Sequence, residues 1–263
     1  MELRFKEYKY KEKSLSFTLK EKEINGISGN HLEEIINIIR LNDKEKKNIF
    51  VNKKELKSSE FYSVKKKIAY IKEFLEDSVQ ETTLEEQMIE YIKRHQVYPK
   101  NLSKKLKDSL KIVGLDDTYL KRNFYTLSTS EKKLFQLSLE LLLNPEIIIL
   151  EEPLKVLDMK NRKRIMMVLK KIKDTYQKTI VILSNDPEVL YKETDHLILF
   201  KNDKILVEDK TMDVYQRVDF LKRHKVEIPE IVEITYLAKK NKNVKIDYFR
   251  DVRDIIKDIY KHV

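Results

Sequence analysis

A parallel α/β sheet is predicted by two short apolar runs and by the helical segments around them. Ile147-Ile148-Ile149-Leu150 and Thr179–Leu183 are almost wholly apolar and β-branched, as strands buried on both faces are. Before the first run, a segment opening at Leu127-Ser128 carries an apolar helical face through Leu134, Leu137, Leu141 and Leu142, and Asn144-Pro145 ends it. Between the two runs, residues 160–176 repeat a basic amphipathic helix. Strand, helix and strand in alternation is the pattern of an α/β chain.

The remaining elements follow in order. Residues 2–10 and 15–19 alternate as an antiparallel pair does, and Ile24–Ile27 is a further short strand. Gly26 to Asn30 reads as a turn, followed by an apolar helix through Leu32, Ile35, Ile36, Ile38 and Ile39. A strand, a glycine-containing turn and a helix is the setting of a phosphate-binding loop, and equally of a packed strand–turn–helix unit. Residues 47–75 hold short strand-like pieces at Asn48–Val51 and Ile68–Ile71. From Leu84 to about Leu120 the period is helical, broken at Val97-Tyr98-Pro99 and at Gly114. Pro187–Tyr191 starts a short helix, and Leu197–Phe200 with Lys204–Val207 forms a hairpin about Asn202-Asp203. After Met212 the chain is helical and charged, interrupted at Pro229. Glu151 and Glu152 follow the first buried run at once, and acids there lie where open α/β sheets bind ligands.

Composition narrows the chemistry. The chain has 263 residues, 41% of them hydrophobic, enough for one large domain or a domain with an extension. A net charge of +10 suggests an anionic partner, or only a solubilising lysine coat. Lys65-Lys66-Lys67 and Lys104-Lys105 read as solvated faces. There is no cysteine, which excludes disulfide and thiolate chemistry. The five histidines, His31, His95, His196, His224 and His262, lack metal-ligand spacing. The N-terminus has no apolar run of a secretory signal, and no stretch approaches the ~20 apolar residues of a membrane span. Work at a membrane is therefore expected to need another subunit. Only Gly26, Gly29 and Gly114 occur, where average usage gives about 18 glycines. Backbone grips on phosphate normally use more.

In element order the chain resembles an ABC-transporter ATPase domain, most closely the ATPases of energy-coupling-factor importers. Val113-Gly114-Leu115-Asp116 followed by Arg122-Asn123-Phe124-Tyr125-Thr126-Leu127-Ser128 is similar to that family's VGLD…RxPFxLSGG. Glu76-Asp77 with Thr83-Leu84-Glu85-Glu86 is similar to PEDQ…TVEED, and Leu221, Ile228-Pro229-Glu230 and Leu237 resemble its C-terminal extension. The resemblance implies a P-loop NTPase-like fold with a parallel sheet core, an antiparallel β subdomain, a helical subdomain at about 72–135 and a C-terminal helical extension. On that basis residues 1–212 form the ATPase-like domain and 213–263 the extension.

The resemblance also implies ATP and Mg²⁺, but the motifs that would hold them depart from the family. Aligned on GxxxxGK[ST], the loop reads Gly26, Ser28 and Gly29, then His31 for the second glycine. Leu32 stands for the lysine and Glu33 for the hydroxyl that holds Mg²⁺. A carboxylate beside triphosphate costs several kcal/mol in a partly dry site, so tight ATP binding is not expected. The glutamine-loop position is Glu73, and the switch histidine is Asn185, which cannot carry imidazolium charge. The signature LSGGQ reads Leu127-Ser128-Thr129-Ser130-Glu131, in which Ser128 survives. Glu151 falls on the metal-binding aspartate, Glu152 on the catalytic glutamate and Asp158 on the D-loop aspartate. Tyr8 or Tyr10, with Tyr10 preferred, falls where the family stacks an aromatic on adenine, and a core or surface tyrosine is the plainer reading.

Three functions are compatible with these residues. The first is a degenerate, pseudo-ATPase subunit of a membrane importer, peripheral on the cytoplasmic side. It pairs with a homologous ATPase and docks on a transmembrane coupling subunit through residues 72–126. The second is a working hydrolase that uses Ser128, Glu152 and Asp158 on a partner's ATP. The third is a basic binding protein acting on nucleic acid, ranked last because no nucleic-acid motif is present; no nucleic-acid partner is expected.

Overall fold

The computed structural model describes residues 1–43, 45–73, 82–242 and 247–261. The opening alternation forms β1 (Leu3–Tyr10) and β2 (Lys13–Leu19), antiparallel, with a bulge between Phe5 and Tyr8. Then come β3 (Ile24–Gly29), α1 (Leu32–Ile39), β4 (Ile49–Val51), β5 (Lys54–Glu55), α2 (Phe61–Lys65) and β6 (Ile68–Ile71). The helical stretch resolves into α3 (Leu84–Arg94) and α4 (Leu102–Ile112), followed by single 3₁₀ turns at Asp117–Lys121 and Phe124–Thr126. The centre of the chain is α5 (Thr129–Leu142), β7 (Ile147–Glu151), α6 (Met159–Tyr176) and β8 (Thr179–Leu183). It ends with α7 (Pro187–Glu193), β9 (His196–Lys201), β10 (Lys204–Lys210), α8 (Thr211–Tyr215), α9 (Val218–Arg223), α10 (Glu230–Lys242) and α11 (Val252–Lys261). The similarity noted at Glu76-Asp77 and the histidine at 262 lie outside the described residues.

The larger sheet has the order β10-β9-β3-β8-β7-β6, in which β9, β3, β8, β7 and β6 are mutually parallel and β10 closes one edge antiparallel. The smaller sheet, β2-β1-β4-β5, is antiparallel. The apolar runs of β7 and β8 serve two cores at once. Ile148, Leu150, Ile180 and Ile182 join a core with α3 to α6, whereas Ile147, Ile149, Val181 and Leu183 join one with α1 and the small sheet. Burial on both faces is why these strands do not alternate. A third core gathers Leu190, Leu197, Leu199, Tyr215 and Leu221 with Ile231, Val232 and Ile255, so the C-terminal helices pack on α7 to α9, β9 and β10.

One expectation is corrected here. The turn read at Gly26 to Asn30 is instead mostly strand, because Ser28 and Gly29 pair in parallel register with Leu199 and Phe200. Only Asn30 and His31 then connect β3 to α1. Gly26 sits mid-strand against α7, where a Cβ would lie 2.9 Å from both Leu190 Cδ2 and Thr194 Cγ2.

Candidate functional site at the carboxyl ends of the parallel strands

The strand ends bring Ser28 and Gly29 of β3, Glu151 at the end of β7 with Glu152 after it, and Ser184 and Asn185 after β8 to one edge of the sheet. This is the edge at which open α/β sheets take ligands. Here its polar groups are bound to one another. Asn185 Oδ1 accepts from Ser28 Oγ at 2.8 Å and from the Gly29 N–H at 3.0 Å. The Asn185 N–H donates to Glu152 Oε1 at 3.1 Å, and Ser184 Oγ donates to Glu152 Oε2 at 2.8 Å. Both Glu152 oxygens therefore have donors, and the one strand-end N–H of β3 best placed for an anion is occupied by an asparagine side chain.

Glu152 is held in the left-handed region (φ 43°), a conformation that costs a non-glycine residue about 1–2 kcal/mol. Lys133 of α5 supports this turn. Its ammonium donates to the carbonyls of Glu152, Pro153 and Lys155 at 3.2, 3.1 and 3.3 Å. Burial pulls the Lys133 ammonium below the usual lysine range, and Glu73 and Glu152 oppose that shift. Glu151 accepts from Tyr70 Oη at 2.6 Å. Glu73 is paired with Lys155 at 2.9 Å. Glu33 is exposed on the first turn of α1. Glu151 and Glu73 thus have partners of their own, and no group of three or more His, Asp or Glu among the described residues could hold a metal ion.

Of the helix N-termini considered, those of α5 and α6 carry side-chain caps and that of α1 does not. A helix start offers unpaired N–H groups and a partial positive charge that attract anions. On α1, Glu33 and Glu34 occupy the first turn, and His31 precedes it in the left-handed region (φ 60°) with no side-chain cap. On α5, Ser128 and Glu131 form a capping box: Ser128 Oγ and the Ser128 N–H both donate to Glu131 Oε2 at 2.8 Å. Tyr119 and Arg122 also engage the Glu131 carboxylate. On α6, Asp158 is the N-cap and accepts from the Asn161 N–H at 2.8 Å, which holds its carboxyl below the usual range. Ser128 and Asp158, the surviving family positions, each serve a cap of their own helix.

Tyr10 is 6% exposed, its ring edge against Phe200, and Lys11 Nζ lies 4.9 Å over the ring. The same ammonium bridges Glu34 and Asp203, each at 3.1 Å. An adenine on that face would have to displace Lys11 from two carboxylates. Tyr8 is buried too, donating to Asp43 at 2.8 Å. At this edge Leu32 supplies no cation, Glu33 adds negative charge, and the donors of Gly29, Ser28 and Ser184 are taken. The network orients its own groups, and no step through a nucleotide is derived from it.

A cavity of ≈ 270 Å³ lies between α3, α5 and the end of β6, lined by Tyr91, Arg94, Gln136 and Glu140 among others. Glu140 was not singled out by sequence, because an acid on a helix facing an apolar stripe looks like a solvated flank. Burial pushes its carboxyl up to about 7, although Tyr91 Oη donates to it at 2.9 Å. Between about pH 5 and pH 7 the folded chain therefore keeps a proton that the unfolded chain has lost. Stability from this group is full at low pH and falls as pH rises towards 7, by about 2 kcal/mol allowing for solvent in the cavity. Urea unfolding of the wild type is expected to show that decline from pH 5 to pH 8. In Glu140→Gln the decline flattens, and an unchanged slope in the variant would assign it elsewhere.

Comparison with known proteins adds the following. A profile described as ABC transporter matches residues 13–155. The chain is similar to the energy-coupling factor transporter ATP-binding protein EcfA2 of Mycoplasma mobile, 25% identical over 227 residues that cover 84% of this chain and 73% of that protein. It is similar to EcfA2 of Clostridium perfringens, 28% identical over 182 residues that cover 68% of this chain and 62%, under two thirds, of that protein. Among solved structures, the fold is similar to that of cbiO1 from Clostridium perfringens, described as part of the ABC transporter complex cbiONQ. There the TM-score is 0.73 at 16% identity, covering 89% of this chain and 98% of that one.

Proposed function

The chain belongs to the ABC transporter family, and from that premise we propose that it is an ATPase-like subunit of an energy-coupling-factor-type importer that has given up its own nucleotide chemistry. The observation that carries this reading is the closed edge of the sheet. Asn185 fills the Ser28 and Gly29 donors, Ser184 and the Asn185 N–H hold Glu152, and a leucine and a carboxylate stand where phosphate recognition needs a cation and a hydroxyl. Its stability then comes from the network and not from a bound nucleotide. We assign residues 1–212 to the ATPase-like domain and 213–263 to the C-terminal extension. The helical region at 72–126, of which residues 74–81 lie outside the described residues, is the region offered to a transmembrane coupling subunit, and the cavity beside α3 supports that assignment by making the described part concave. A homologous ATPase is the second partner, supplying the catalytic competence of the pair. No helix among the described residues is long and apolar enough to cross a membrane. Attachment at the cytoplasmic face therefore runs through these partners.

The test is thermal unfolding with Mg-ATP. A site with Kd near 10 µM at 1 mM ligand would add about 2.7 kcal/mol and raise Tm by about 5–10 °C. The isolated chain is expected to show no such shift. A shift of that size, abolished by Glu152→Gln, overturns the reading and restores a nucleotide-binding subunit.

A further inference from the structure

Beyond the carboxyl ends of β3 and β9, two concavities meet. Leu197 and Leu199 of β9 pack with α7, α8 and α9, whereas Ile198 and Phe200 face α1 and the small sheet. The inner concavity holds ≈ 210 Å³ and is walled by Leu190, Leu199, Tyr215 and Val226. The outer one is wider, ≈ 590 Å³, and carries Lys13, Lys204, Arg223 and His224. Lys201, Leu206 and Lys225 line both, so the two form one groove with an apolar floor and a basic mouth.

The cations differ in what they already do. Lys201 caps the carboxyl end of α9, donating to the carbonyls of His224 and Lys225. Lys13 donates to the Asn202 carbonyl at 2.7 Å and lies 3.8 Å from Asp203. Lys204 and Lys225 are exposed and carry no hydrogen bond or ion pair on their ammonium groups among the described residues. Lys225 is the left-handed residue (φ 53°) that ends α9, with the Val226 N–H donating to the Leu221 carbonyl at 3.0 Å. Against these cations stand Asp203, already shared by Lys11 and Lys13, and Glu227 in the inner wall. A cleft rimmed mainly by one sign of charge concentrates the field of such a cluster on whatever enters it.

We propose that this groove binds a small amphipathic anion: a ring or short aliphatic body in the Leu190, Leu199 and Val226 pocket, with a phosphate or carboxylate between Lys204, Arg223 and Lys225. Pockets that take small molecules combine apolar walls with a few placed polar groups in this way. A phosphate polymer or an anionic membrane surface would use only the mouth and leave the apolar floor unfilled. The inner concavity reaches the Glu152 edge, where Ser28, Gly29, Asn30 and Asn185 line it, whereas Lys204, Arg223 and Lys225 lie outside the Asn185–Glu152 network, so changes at these cations test the groove without touching that network.

The test uses the full chain, without nucleotide, and phenyl phosphate as probe, with inorganic phosphate and phenol as half-probes in calorimetry. Phenyl phosphate is expected to bind at least about tenfold more tightly than either half. Lys204→Glu/Lys225→Glu, at two exposed positions, is expected to lose at least about tenfold of that affinity, and Leu206→Trp, which fills the groove, to lose it with Tm retained. Equal binding of the three probes, or full affinity in the double charge variant, overturns the proposal. So does binding of a DNA oligonucleotide or anionic vesicles, lost in the double variant, with no binding of phenyl phosphate. That result would make the mouth a macromolecular anion surface.

Discussion

Gly29→Ala is expected to cost about 3 kcal/mol or more and to leave the chain poorly soluble. A Cβ at Gly29 would stand 1.9 Å from the Phe200 carbonyl oxygen, and the residue has φ +149°, where side chains are strained whatever the space. The obstacle is backbone, so no rotamer relieves it. β3 would have to peel from β9 at the Gly29↔Phe200 pair, which removes Gly29 from Asn185 as well. Gly26→Ala is the control. Its Cβ would meet the ends of Leu190 and Thr194 side chains at 2.9 Å, atoms that can move, and the expected cost is about 1 kcal/mol. Urea unfolding of the two variants measures the difference. If Gly29→Ala is no worse than Gly26→Ala, then β3 does not run on to Gly29 and the edge of the sheet is not closed as described.

That pair of glycines also marks how far the sequence could be read. The buried runs at 147–150 and 179–183, the helices around them and the hairpin at Asn202-Asp203 were legible because hydrophobic period and turn chemistry act locally. The parallel sheet and the family followed from their order. What was not legible is which donor meets which acceptor. Gly26 to Asn30 has the composition of a turn. Only the pairing of Ser28 and Gly29 with β9, residues about 170 positions away, makes it strand. Asn185 was placed by resemblance at a switch position, but its bond to Gly29 depends on the approach of β3 and β8. Tyr10 falls by resemblance at a base-stacking position and reads more plainly as a core or surface tyrosine; its burial against Phe200 depends on packing between the two sheets. Glu140 passed unnoticed for the same reason, since its raised carboxyl comes from burial beside α3.

Leu32→Lys combined with Glu33→Ser is expected to tighten Mg-ATP binding by at least about a hundredfold. Charge is the cause. A unit pair 4 Å apart is worth about 4 kcal/mol at an effective dielectric of 20. The two substitutions remove one repulsion and add one attraction. Screening at a partly exposed helix start leaves about 3 kcal/mol of that, which is a hundredfold. The fold should tolerate the change: Leu32 is only partly buried against its core, and a lysine stem can cover the same apolar surface. Glu33 is exposed, and Glu34 remains to serve the first turn of α1. The gain is still incomplete, because Asn185 Oδ1 continues to hold the Gly29 N–H and Ser28 Oγ. Adding Asn185→His to the pair frees both donors, and one recovered bond to a charged phosphate is worth a further 1.5–3 kcal/mol, about tenfold or more. Calorimetry on wild type, the pair and the triple variant orders the two obstacles. A pair that binds no better than wild type at unchanged Tm would mean that charge at 32 and 33 is not what excludes nucleotide. A large gain from Asn185→His alone would then place the block in the asparagine clasp.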